Sequence, residues 1–159
     1  MTGGALATAA MAAMLSTTVI VPGNAHASAF GCDYNRGFGF SFKGVNLKAP
    51  KGFLCHKITG SKKHIQHQTA RYGANASIYG ALTGKVCNWR IDFLYSNTSG
   101  KTYKIDKGPT RNYCSYSVSR SVSADKHLPS YGKSCARLVV SGKTVETQCH
   151  NITSGFKLW

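Results

Sequence analysis

The chain has 159 residues, with 20 lysines and arginines against five aspartates and glutamates and a formal net charge of +15. This length suits one domain with a core of its own. The charge favours an anionic partner, which would be an acidic protein, an anionic envelope polymer or nucleic acid. None of the five acids is adjacent to another, so paired-carboxylate catalysis could arise only through folding.

The first segment, residues 1–27, has the pattern of a secretory signal peptide. An uncharged apolar run from Ala5 to Val21 is followed by Ala25-His26-Ala27, an A-x-A cleavage pattern, although no Lys or Arg precedes the run. The run is short for a membrane span, and no later stretch is apolar enough to cross a bilayer. We therefore predict a secreted, extracellular protein whose mature part is a single domain over residues 28–159.

From residue 28 onward, short alternating runs are separated by Gly, Ser and Asn, which is typical of an all-β domain. In the segment 37–42, the rings of Phe38, Phe40 and Phe42 share one face. If this strand is unpaired, it could add to the sheet of a partner through these rings. The alternative is an ordinary edge or core strand.

The first predicted hairpin joins residues 53–58 to residues 63–69 through a turn at 59–62. Cations and histidines follow one another along this stretch beside an aromatic residue, an arrangement that suits a polymeric anion through charge and stacking. The alternative is a solvated hairpin. The predicted binding residues are Lys57, Lys62, Lys63, His64, Arg71 and Tyr72, with Phe38, Phe40 and Phe42 as a second candidate set.

The clearest strand covers residues 87–95, where apolar and polar side chains alternate. We predict that Asp92 lies on the wet face as an exposed partner of Arg90 rather than as a general base. The next strand should point Tyr103 and Ile105 inward. The predicted core comprises Trp89, Ile91, Phe93, Tyr103, Ile105, Leu138, Val140 and Val145.

The last predicted hairpin joins residues 136–140 to residues 144–152 through a three-residue turn. Val140 would then face Thr144, and Cys135 would face Cys149. Six cysteines behind a signal peptide predict three disulfides, and metal ligation is disfavoured because no close C-x-x-C pair occurs. Proximity in the sequence favours the pairs Cys32–Cys55, Cys87–Cys114 and Cys135–Cys149.

The histidines offer the main enzymatic alternative. His64 and His67 would point to opposite faces of a strand, so no metal and no cofactor is predicted. His56, His127 and His150, together with lysines, could supply the proton-transfer groups and cations of a secreted ribonuclease. The sequence permits this chemistry without indicating it, and no catalytic residue is assigned.

Three stretches carry a family resemblance: residues 54–61 (LCHKITGS), 87–93 (CNWRIDF) and 148–153 (QCHNIT). They resemble a group of small exported six-cysteine bacterial proteins of unassigned activity. In size, export signal and disulfide-stapled β pattern, the chain also resembles the small adaptor subunits of bacterial umbrella toxin particles. The second resemblance implies an adaptor within an extracellular antibacterial assembly.

We expect an all-β fold, a small antiparallel sandwich or barrel stapled by three disulfides. The expected function is that of a secreted, non-catalytic binding or adaptor protein that docks an acidic partner through a basic surface. The alternatives are a secreted ribonuclease and a cationic envelope-binding antimicrobial protein.

Overall fold

The computed structural model describes residues 28–76 and 84–153, and these ranges form eleven β-strands and no helix. No helix long and apolar enough for a membrane span is therefore found in the described ranges. The predicted signal peptide, residues 1–27, lies outside them. The strands are β1 (Ala29–Asn35), β2 (Gly39–Phe42), β3 (Val45–Lys48), β4 (Gly52–Ser61), β5 (His64–Gly73), β6 (Val86–Asn97), β7 (Thr102–Asp106), β8 (Arg111–Ser115), β9 (Val118–His127), β10 (Gly132–Val140) and β11 (Lys143–Ile152).

Two antiparallel sheets form the body of the domain, which confirms the predicted all-β class. The first sheet has the order β1-β4-β5-β9, and the second has the order β11-β10-β6-β7. Strand β8 follows β7 along the same edge of β6, since β7 pairs with residues 93–96 of β6 and β8 with residues 86–89. Strands β2 and β3 form a separate hairpin.

The core lies between the two sheets, where alternate residues of the central strands point inward. Of the predicted core, Trp89, Ile91, Phe93, Leu138 and Val140 are buried, and Val145 is partly buried against them. The prediction was wrong for the two residues of β7, which is the edge strand of the second sheet. Ile105 pairs with Leu94, whereas Lys104 and Asp106 pair with the buried Tyr95 and Phe93, so Ile105 lies on the outer face. Tyr103 is 37% exposed and Ile105 is 43% exposed.

All three predicted disulfides are present: Cys32–Cys55, Cys87–Cys114 and Cys135–Cys149. In each case the two cysteines are direct partners in the register of neighbouring strands. Disulfides of this kind belong to proteins of oxidising compartments, so the structure agrees with an extracellular type of environment.

The turn of the last hairpin differs from the prediction. Val140 pairs with Lys143 across a two-residue turn, in which Ser141 and Gly142 both have positive φ, of 48° and 79°. This is the signature of a type I′ turn. A register shift after Leu138 then inserts one residue on the β11 side, and this restores the pairing of the two cysteines. The first predicted hairpin turn was also displaced, because β4 continues to Ser61 and the turn lies at residues 62–63.

The two sheets meet differently along their two sides. On one side β1 lies beside β11, where Asn35 Nδ2 donates to the Val145 carbonyl at 3.0 Å. The Gln148 amide, with its nitrogen assigned to the side of Asp33 because this orientation satisfies both groups, donates to the Asp33 carboxylate. On the other side β9 is an edge strand and faces β6 and β8 across an open cleft. The fold is therefore closed along β1 and β11 and open along β9.

Candidate anion-binding surface

Asp92 has the most extensive set of partners among the five carboxylates. It is fully buried, accepts hydrogen bonds from Arg90 Nε at 3.0 Å and Arg137 Nη2 at 2.9 Å, and also accepts one from the Gly108 backbone N–H at 3.1 Å. The predicted pairing with Arg90 is present, but the prediction of exposure was wrong. Arg137 on the neighbouring strand β10 and the connection between β7 and β8 both approach this carboxylate.

Asp106 ties the second sheet to β9. Arg120 Nη2 donates to its Oδ1 at 2.8 Å, and Lys126 Nζ lies 3.6 Å from its Oδ2. Burial alone would raise the pKa of Asp106, but the hydrogen bond and charge of Arg120, together with Lys126, outweigh it and hold the pKa below its usual value.

The remaining three carboxylates also have partners inside the domain. Asp33 accepts from the Gln148 amide, Asp125 lies 2.6 Å from His64 Nε2, and Glu146 accepts from Asn35 Nδ2 at 3.0 Å. By contrast, four of the described lysines and arginines form an ion pair with an Asp or Glu: Arg90, Arg120, Lys126 and Arg137. Most of the positive charge is therefore not neutralised within the domain.

The structure places the predicted binding residues of the first hairpin in different environments. Lys57 is exposed and Arg71 partly buried, while Lys62 and Lys63 occupy the turn at the far end of the hairpin. Tyr72 cannot stack on a ligand, because its ring is buried in the core and its hydroxyl donates to the Pro50 carbonyl at 2.7 Å. Burial raises the pKa of this hydroxyl to about 12.

His64, the remaining predicted binding residue of the first hairpin, lies against another histidine. Its ring stacks on that of His127 with the centroids 4.2 Å apart and the planes 3° from parallel. With Asp125 this pair forms a small cluster at the end of β5 and β9. No group of three or more residues suited to a metal ion is found in the part of the chain that the structure describes.

The predicted strand addition through residues 38–42 required an unpaired segment, whereas β2 is paired with β3. Phe40 is buried in the core, and Phe38 and Phe42 pack against it. These rings are therefore engaged inside the domain rather than offered to the pockets of a partner.

A different surface combines unpaired cations with exposed aromatic rings, along the outer edge of the second sheet. We call it the basic edge, and it comprises four exposed cations: Lys101 just before β7, Lys104 on β7, Lys107 between β7 and β8, and Arg111 at the start of β8. Exposed apolar and aromatic side chains alternate with these cations, and Lys85 Nζ lies 5.1 Å from the centroid of the Tyr116 ring. These side chains are Tyr103, Ile105, Tyr113 and Tyr116.

The sequence carries one signal for the basic edge, because Lys101, Lys104 and Lys107 recur every third residue around Tyr103. A spacing of three places successive side chains on opposite faces of a strand, so the pattern alone does not predict a shared surface; the position of β7 at the edge of the sheet is what exposes all three. Edge strands commonly carry lysines, which discourage unwanted pairing with other strands, so this pattern also fits the place of β7 in the sheet.

An open cleft of about 330 Å³ adjoins the basic edge, at the side where β9 faces β6 and β8. Arg111 belongs to both the basic edge and the cleft. No carboxylate and no histidine is among the cleft-lining residues, which are Trp89, Ile91, Pro109, Arg111, Ser119, Arg120, Ser121 and Val122.

The histidines of the ribonuclease alternative do not share one open site. His56 is fully buried and stacks on Phe93, with the ring centroids 5.6 Å apart. Burial, together with the charge of His150 nearby, lowers the pKa of His56 to about 3. His127 lies at the other end of the first sheet. It pairs with His64, which pairs in turn with Ser61, and Ser61 is five residues from His56 along β4. The segments 55–59 (CHKIT) and 149–153 (CHNIT) share the pattern C-H-x-I-T. They meet in the structure, since His56 and His150 have ring centroids 5.0 Å apart.

Comparison with protein-family models, with curated proteins and with solved structures finds no match to this chain. The two resemblances drawn from the sequence therefore stay predictions. The fold, the basic edge and the cleft are the basis for the functional inference.

Proposed function

We propose that this chain is a secreted, non-catalytic binding module that docks an acidic partner through the basic edge. The observation that carries the proposal is the distribution of carboxylates. All five have partners within the domain, while the cations of the basic edge have no carboxylate partner among the residues that the structure describes. Unpaired cations on one edge attract polymeric or clustered anions over roughly a Debye length.

The aromatic side chains support the same surface. Tyr103 and Tyr113 are 37% and 54% exposed next to the lysines. Amphipathic rings of this kind supply contact area at low entropic cost in binding surfaces. The resemblance to umbrella toxin subunits implies an adaptor role in an extracellular antibacterial assembly. In that case the acidic partner would be another protein of the assembly.

The test compares two triple variants that remove the same number of charges. Lys101, Lys104 and Lys107 are replaced by Ala in one, and Lys48, Lys51 and Lys143, which are also exposed and outside ion pairs with Asp or Glu, are replaced in the other. Binding of the mature, oxidised protein to immobilised polyglutamate is measured across a salt series. We expect the slope of log affinity against log salt to fall by about 2–3 in the basic-edge variant.

Equal losses in the two variants would contradict a localised docking surface and would indicate a response to total charge. A partner protein is sought by affinity capture from the culture medium of the source organism with the wild-type chain and both variants. The proposal expects one stoichiometric partner whose capture is lost with the basic-edge variant alone.

A further inference from the structure

We propose that the cleft beside the basic edge binds a phosphate diester that carries small polyol groups. The proposal rests on the proposed function, because this diester would be one unit of the acidic partner. Three features of the cleft point to such a ligand: its charge, a buried donor without an acceptor, and the size and apolar part of its lining.

The cleft carries enough positive charge to bind at least one negative charge. Arg120 is held in place by Asp106 and by the carbonyl of Ile91, to which its Nη1 donates at 3.0 Å. Asp106 offsets part of the charge of Arg120, because it also pairs with Lys126. Arg111 has no carboxylate partner among the described residues, so at least one positive charge is left over at the mouth of the cleft. A phosphate diester carries one negative charge, and a guanidinium matches its oxygens through paired N–H donors.

Trp89 is the donor that lacks an acceptor. Its side chain lines the cleft and the residue is 5% exposed, yet its indole Nε1 has no hydrogen-bond partner among the described residues. A buried N–H without an acceptor is unfavourable. Solvent does not reach this nitrogen in the structure, so we expect a bound ligand to displace part of the lining before one of its oxygens accepts from the indole N–H.

The remaining lining residues favour a polyol phosphate over a nucleotide as the ligand. Ile91, Pro109 and Val122 give the cleft an apolar wall, against which the carbons of a polyol can pack. Bases of single-stranded nucleic acid are held mainly by stacking on exposed aromatic faces. Trp89 is too deeply buried to offer a face, and at about 330 Å³ the cleft is near the lower limit for small-molecule sites.

The indole N–H of Trp89 is itself a specific reporter. The chain has two tryptophans, so Trp159→Phe leaves a single indole resonance in a ¹H–¹⁵N correlation spectrum. The mature, oxidised protein is titrated with glycerophosphoglycerol, with the dinucleotide TpT and with uncharged glycerol. We expect a saturable change in the chemical shift of the Trp89 indole resonance with glycerophosphoglycerol at about millimolar concentration, which is the affinity that a ligand of this size can reach. We expect no change with glycerol.

Variants assign the response to the cleft. Arg111→Ala should weaken glycerophosphoglycerol binding about tenfold or more, while Lys133→Ala, which removes the same charge elsewhere, should leave it within twofold. Binding of TpT as tight as that of glycerophosphoglycerol would overturn the polyol assignment. The absence of a saturable shift with either diester, or equal losses in the two variants, would overturn the site itself.

The two proposals can fail separately. If the indole shift is absent but polyglutamate binding still depends on Lys101, Lys104 and Lys107, the cleft is not a ligand site and the docking surface stands. If the shift is present and depends on Arg111 while the two triple variants bind polyglutamate alike, the docking surface is wrong and the cleft stands.

Discussion

Because His56 is buried, we expect the free energy of unfolding of the domain to fall steeply below pH 6.5. The imidazole is fully buried, and neither ring nitrogen has a hydrogen-bond partner among the described residues. Its pKa is about 3 in the folded chain against 6.5 in an unfolded one. The unfolded chain therefore binds a proton first as the pH falls, and folding loses roughly 1.4 kcal/mol per pH unit within this window.

Between pH 7 and pH 4 the loss amounts to about 3 kcal/mol, a large share of the stability of a domain of this size. Asp106 acts in a different range. Because its folded pKa is lowered, it contributes stability that is lost only as the pH falls through values below 4. Of these two groups, only His56 has its unfolded and folded pKa on either side of the interval from pH 6.5 to pH 4.

The variant His56→Phe keeps a ring stacked on Phe93 and removes both titration and unpaired nitrogens. We expect its free energy of unfolding, from guanidinium titrations with disulfides intact, to change by less than about 1 kcal/mol between pH 7 and pH 4. His67→Phe, on the partly exposed outer face, serves as the control and should keep the wild-type slope. If wild type and His56→Phe lose stability in parallel, the assignment of the slope to His56 is wrong.

Two further substitutions test buried polar groups. Asp92→Asn leaves two arginines without their carboxylate and should lower the free energy of unfolding by about 3–5 kcal/mol, whereas Asp125→Asn, whose side chain is 90% exposed, should change it by less than about 0.5 kcal/mol in urea titrations. Tyr95→Phe removes the hydroxyl that donates to buried Gln68 Oε1 at 2.8 Å and should cost about 1–3 kcal/mol. The matched Tyr113→Phe change is at an exposed ring, and a similar loss there would contradict the reasoning.

The sequence was sufficient for those features that depend on neighbours along the chain. Strict alternation over residues 87–95 predicted the buried face of β6, and proximity predicted all three disulfides. The turn of the last hairpin was mispredicted because Ser141 adopts a left-handed conformation that a non-glycine residue seldom takes. The cysteine pair survived this error because a compensating bulge follows Leu138.

Features that depend on strand order were not predictable in the same way. Alternation places Asp92 on the outer face of β6, but does not show that Arg137 and Gly108 would approach it there. Alternation also cannot tell an edge strand from a central one, so Tyr103 was expected to be buried. The cleft depends on β8 and β9 coming to opposite sides of Trp89, which follows only from the pairing of both sheets.

The positions of the three disulfides determine which strands stay linked when the domain unfolds. Cys32–Cys55 closes a pair within the first sheet, and Cys87–Cys114 and Cys135–Cys149 close pairs within the second. None of them crosses from one layer to the other. An oxidised chain can therefore lose its interior by separation of the two sheets while three strand pairs, β1–β4, β6–β8 and β10–β11, stay covalently linked. Refolding from that state would start with these three pairs already joined.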